Sequence, residues 1–111
     1  MRLKAYAVSN IFGIPVMQTV LNAIADPLRR RALHILWGGG EHCVCELMAK
    51  LDASQSRMSR HMKTLKDAGL VTDRRDAQWV RYRRNANLAP EIAAVIDAIF
   101  AAEASQERTV A

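Results

Sequence analysis

Residues 44–69 read VCELMAKLDASQSRMSRHMKTLKDAG, and the periodicity of this stretch decides the fold. Leu47 and Leu51 stand four apart, the spacing of one helical face, so the spacing predicts a short helix from about Val44 to Leu51. Asp52-Ala53-Ser54 then interrupts the pattern as a turn, with Ser54 placed to cap the next helix. That second helix is predicted from Gln55 to Ala68, burying Met58, Met62 and Leu65 and stopping at Gly69. Its opposite face carries Ser56, Arg57, Ser59, Arg60, Lys63 and Lys66, which is short, polar and basic. A short helix, a three-residue turn and a polar-faced helix form the outline of a helix-turn-helix.

The flanking sequence extends that outline. From Leu70 to Asn85 the period changes to two, with Val71, Trp79, Val80 and Tyr82 around Arg74-Arg75-Asp76-Ala77, which predicts a β-hairpin with basic residues at or near its tip. A last helix is expected from Ala89 to about Ala104, where Ile92, Val95, Ile96, Ile99 and Phe100 form one stripe. That stripe either completes the core or pairs with a second chain. Upstream, Val16, Val20, Leu21 and Ile24 recur at helical spacing until Asp26-Pro27, which closes one helix and opens the next. The helix from Leu28 to Trp37 directs Leu28, Ala32, Ile35 and Leu36 inward, starts with Arg29, Arg30 and Arg31, and ends at Gly38-Gly39-Gly40. The expected class is mostly α with a β-hairpin wing, in the order α-α-α-α-β-β-α, a winged helix-turn-helix.

In that arrangement the second helix of the motif enters the major groove of DNA. Ser54, Gln55, Ser56 and Ser59 are short hydrogen-bonding side chains near its start, where backbone N–H groups also favour phosphate. Gln55 suits adenine, and Arg57 or Arg60 suits guanine, with Lys63 further along the same face. Arg74, Arg75 and Arg81 of the wing suit phosphates or a narrow minor groove, whereas Arg83 and Arg84 are as readily solvated surface charge. Trp79 and Tyr82 read as hairpin core and cross-strand packing. His61 and His34 have no second ligand at helical spacing and read as structural, His61 alternatively as a phosphate contact.

The 111 residues carry a formal charge of +5 and are half hydrophobic, which suits one domain with an ordinary core and a polyanionic partner. No segment approaches the ~20 apolar residues of a membrane span. The apolar run near the N-terminus is broken by Ser9 and Asn10 and lacks a cleavage pattern, so a cytoplasmic protein without membrane contact is expected. No nucleophile–base constellation or Gly-rich phosphate loop is present, which argues against an enzyme.

Only two cysteines occur, Cys43 and Cys45. A bridge between them would close a tiny loop and staple nothing, so the pair reads as a ligand or redox site. At a helix start the dipole favours thiolate, the form that binds soft ions. On a regular helix residues i and i+2 point about 200° apart, so clamping one ion with both sulfurs is expected to unwind the start of the helix. Such unwinding would tilt the recognition helix and lower DNA affinity by linkage.

Cys43-Val44-Cys45-Glu46-Leu47, with Ser54-Gln55-Ser56, Ser59-Arg60-His61 and Ala68-Gly69-Leu70-Val71, resembles the ArsR/SmtB family of bacterial metalloregulatory repressors, most of all its arsenic-responsive branch. The resemblance spans roughly Val16 to Ala104. It implies a homodimer on an inverted repeat of double-stranded operator DNA, repressing its operon until trivalent arsenic or antimony binds Cys43 and Cys45, with no permanent cofactor. It further implies that residues 16–104 form the DNA-binding and dimerisation domain, with 1–15 an N-terminal extension or arm and 105–111 a tail. One departure stands out: the branch usually has a third cysteine where this chain has Met48, and a thioether is a poor ligand for such an ion. The third position would fall to water, hydroxide or an external thiol, or the site would prefer singly substituted organoarsenicals. A zinc site in the last helix would need histidine among Glu91, Asp97 and Glu103, and none is there. A constitutive DNA binder without effector and a dithiol redox-sensing regulator remain as alternatives.

Overall fold

Asp26 and Pro27 set the first corner of the chain. The computed structural model describes residues 16–110, so the expected arm at 1–15 lies outside the described residues. Helix α1 (Val16–Ile24) ends there, and α2 (Pro27–Trp37) begins with the Asp26 carboxylate accepting the Arg29 N–H at 2.9 Å. The α1 carbonyls left without helical partners are taken up by arginines of α2. Arg29 donates to Asn22 and Ala23 carbonyls, while Arg30 donates to those of Ile24 and Ala25 and, at 2.7 Å, to Glu103. Part of the basic charge thus joins elements.

A two-residue strand β1 (His42–Cys43) follows, then α3 (Val44–Leu51) and α4 (Gln55–Asp67). The wing consists of β2 (Val71–Asp76) and β3 (Trp79–Arg84), and α5 (Pro90–Val110) closes the fold. The sheet is antiparallel in the order β1-β3-β2, with Cys43 opposite Arg81 and Asp76 opposite Trp79. The sequence reading is corrected in two respects: the wing has a third strand, and the last helix continues through residues 105–110, where a tail was expected.

The helix-turn-helix periodicity holds. Leu47, Leu51, Met58, Met62 and Leu65 are all buried, joined by Val20, Ile24, Ala32, Leu36, Val71, Tyr82, Ile96 and Phe100. Leu33, absent from the expected core, is fully buried because α2 lies between neighbours and buries more than one stripe. Leu21 and Trp79, expected inside, are each 44% exposed. In α5, Ile96 and Phe100 enter the core while Ile92, Val95 and Ile99 are half-buried. Phe100 stacks on His34 and meets Trp37 edge-on, and the Trp37 indole N–H donates to Asp97.

Candidate nucleic-acid interface and dithiol site

Asp52 takes a left-handed conformation (φ 53°) and ends α3, so the chain reverses within three residues into α4. Ser54 then caps α4, its Oγ accepting the Arg57 N–H at 3.2 Å. The cap presents Gln55, Ser56, Arg57, Arg60 and Lys63 on an exposed face, with Ser59 half-buried beside them. Lys63 pairs with Asp67 at 3.1 Å, and Lys66 with Asp73 of the wing. His61 faces inward, its Nδ1 3.2 Å from the Arg29 guanidinium and its buried Nε2 3.9 Å from the Asp26 carboxylate, too far for a hydrogen bond. Burial first, and then the Arg29, Arg57 and Arg60 charges, hold its pKa below the ordinary 6.5, against the pull of Asp26. Its placement between Arg29 and Asp26 is structural rather than phosphate-facing.

In the wing the arginines divide. Arg74 is gripped by Glu41 through three hydrogen bonds of 2.8–3.1 Å, and this pairing holds Glu41 below the usual carboxylate range. Arg81 pairs with Asp76 at 2.9 Å. Arg75 is exposed on the strand. Arg84 lies 3.7 Å over the Trp37 ring, directed to the body of the protein. The tip proper is Ala77-Gln78, with Ala77 at φ 57°, so the arginines flank it. The Glu41 clamp was invisible to sequence reasoning, because 33 residues separate the partners.

The cysteines are held by both sheet and helix. Cys43 is paired in β1 and is also the extended residue preceding α3 (φ −78°, ψ 159°), whereas Cys45 lies in the first helical turn. Their sulfurs are joined, with Cα atoms 5.3 Å apart. Because Cys43 is not helical, the bonded sulfurs converge with α3 intact. Glu46 fixes this corner: one oxygen accepts the Cys43 N–H at 3.2 Å and the other lies 3.3 Å from His42 Nδ1. The Cys43 bond, then the His42 contact, hold Glu46 below its usual range. The Cys-x-x-Glu spacing could have signalled this cap. Cys43 is buried and Cys45 exposed, and Cys45 borders a cavity of about 240 Å³ shared with Met48, Gln55, Ser59, Trp79 and Val80. Among the described residues no group of three or more His, Cys, Asp or Glu side chains could hold an ion.

A capped polar helix crossing a buried one, beside a basic three-stranded wing, defines a winged helix-turn-helix DNA-binding protein. The pattern of the arsR family of bacterial regulatory proteins matches residues 26–73. The Arsenic resistance transcriptional regulator ArsR1 of Pseudomonas putida is 37% identical over 109 residues, covering 96% of this chain and 82% of that protein. The Arsenical resistance operon repressor of Escherichia coli K12 is 32% identical over 99 residues, covering 89% and 83%. The homodimeric winged helix-turn-helix DNA-binding domain Mb0332 of Mycobacterium bovis superposes with a TM-score of 0.67 over 98% of this chain and 92% of that one, and at 20% identity it speaks for the fold alone. This chain belongs to the arsR family of bacterial regulatory proteins, whose members are transcription regulators rather than enzymes.

Proposed function

We propose that the protein is a homodimeric repressor that binds double-stranded operator DNA through α4 and the wing and is released when trivalent arsenic or antimony binds Cys43 and Cys45. The convergence of both sulfurs at the start of α3, directly before the recognition helix, carries this reading. The named relatives are regulators and repressors of arsenic resistance, which supports the same assignment. In the reduced pair two thiolates meet the soft-ligand demand of such an ion. They fill two of its three positions, and Met48 stands where a third cysteine would complete them.

Groove contacts are assigned to Ser54, Gln55, Ser56, Arg57, Ser59, Arg60 and Lys63, and backbone contacts to Arg74, Arg75 and Arg81. The half-buried Ile92, Val95 and Ile99 of α5, with exposed Leu21 of α1, supply apolar surface for a second copy. Dimer symmetry then calls for an inverted repeat.

Fluorescence anisotropy on DNA from the protein's own upstream region, under reducing conditions, tests the assignment. Arsenite or phenylarsine oxide is expected to release the DNA and zinc to leave it bound, with the response lost in Cys43→Ser and in Cys45→Ser. Binding indifferent to every thiophilic ligand would remove the sensor role and leave a constitutive regulator. The joined sulfurs favour a second reading, a dithiol redox switch. It predicts release by an oxidant such as diamide with no response to arsenicals.

A further inference from the structure

The cavity beside Cys45 is lined by Met48 of α3, Gln55 and Ser59 of the recognition helix, and Trp79, Val80 and Tyr82 of β3, with Gln78 of the turn at its rim. Trp79 is 44% exposed although it is the largest apolar side chain of the wing. Resting on the reading of Cys43 and Cys45 as a thiophilic site, we propose that this cavity receives the aromatic substituent of a singly substituted trivalent arsenical held by the two cysteines. Two chemical arguments and the size of the cavity converge on this ligand class. An inorganic trivalent ion has three exchangeable positions and the site provides two sulfurs, whereas an aryl arsenical has two. With both sulfurs bound the aryl adduct presents an apolar ring where the inorganic adduct presents a hydroxyl, which suits a site bordered by Met48, Val80 and Trp79. The volume of about 240 Å³ exceeds the roughly 150 Å³ of an apolar cavity that holds benzene.

The step is ligand exchange. Each of the two As–OH bonds is replaced by an As–S bond, and each thiol proton leaves with a hydroxide as water. Arsenic stays trivalent and no electrons move. The joined pair is opened beforehand by a phosphine reductant, which becomes the phosphine oxide as water supplies its oxygen and the two thiol protons.

The geometry also sets the consequence for DNA. Gln55 and Ser59 are assigned to the groove, so an occupant between them and the wing takes the place of DNA contacts while α3 stays folded.

Calorimetric titration of the phosphine-reduced protein with phenylarsine oxide and with arsenite decides the matter. Trp79→Ala is expected to weaken phenylarsine oxide binding by about tenfold, with arsenite affinity unchanged within about twofold, and Trp79→Phe to restore most of the loss. Trp79 is 44% exposed at the start of β3, and retained arsenite affinity reports that the variant is folded. If Trp79→Ala weakens both ligands equally, or neither, the aromatic pocket is overturned while the two-thiol site stands. If neither arsenical binds the reduced wild-type protein, the thiophilic reading falls together with the pocket.

Discussion

At the residue scale, two side chains make the folded protein sensitive to pH and to salt. Burial first, and then the neighbouring guanidinium groups, disfavour the charged form of His61, so its folded pKa lies below 6.5. Between that depressed value and 6.5 the unfolded chain binds a proton that the folded chain refuses. The stability is therefore fully present above 6.5 and is lost as pH falls through the folded pKa. Melting temperature is expected to drop from about pH 7.5 to about pH 5, and His61→Gln to flatten that slope. The contributions of Asp26, Glu41 and Glu46 are lost at lower pH, because their values are lowered from 3.8 and 4.5. Glu41 holds Arg74 in a bidentate grip. Glu41→Gln should loosen that guanidinium for phosphate, raise DNA affinity and steepen the salt dependence by about one released counterion, measured as log K against log salt.

At the scale of elements, the turn between β2 and β3 places a non-glycine residue in the left-handed region. Ala77 occupies φ 57°, where a Cβ costs about 1–2 kcal/mol, while glycine loses about 0.5–1 kcal/mol of that advantage through the unfolded chain. Ala77→Gly is expected to stabilise the protein by about 0.5–1 kcal/mol in urea denaturation, leaving the Asp76–Trp79 register intact. Ser54 presents the opposite case, since its hydroxyl caps α4 and also stands among the assigned groove contacts. The signals for α3, the turn and α4 were legible because they are local: apolar spacing, a cap and a stop glycine act within a few residues. Strand β1 was not legible, because two residues have no period, and His42 and Cys43 become a strand only through pairing with Tyr82 and Arg81.

For the molecule as a whole, the charge of +5 is unevenly employed. Arg29 and Arg30 tie α1, α2 and α5 together, Arg84 covers Trp37, and Arg57, Arg60 and Arg75 stay exposed around the recognition helix and wing. A composition that reads as affinity for polyanions is thus partly internal adhesive. Leu21 is exposed on α1, so Leu21→Glu should leave the circular dichroism of the fold unchanged. If that surface joins two copies, sedimentation equilibrium will show the variant shifted toward monomer. DNA binding would weaken in parallel, because a monomer engages one half-site.

Leu47, Leu51, Met58, Met62 and Leu65 were placed by their spacing and are buried as spaced, since helical periodicity is a property of consecutive residues. The turn at Asp52-Ala53-Ser54 and the polar face of α4 followed for the same reason. Local spacing is thereby enough to specify a winged helix-turn-helix and the residues of its outward face. Only the tertiary structure decided which wing arginines are held by carboxylates, because Glu41 reaches Arg74 across 33 residues. It likewise decided that Cys43 and Cys45 converge. Spacing on an ideal helix would have turned the sulfurs apart, but pairing of β1 with β3 draws Cys43 out of the helix and turns its sulfur toward that of Cys45.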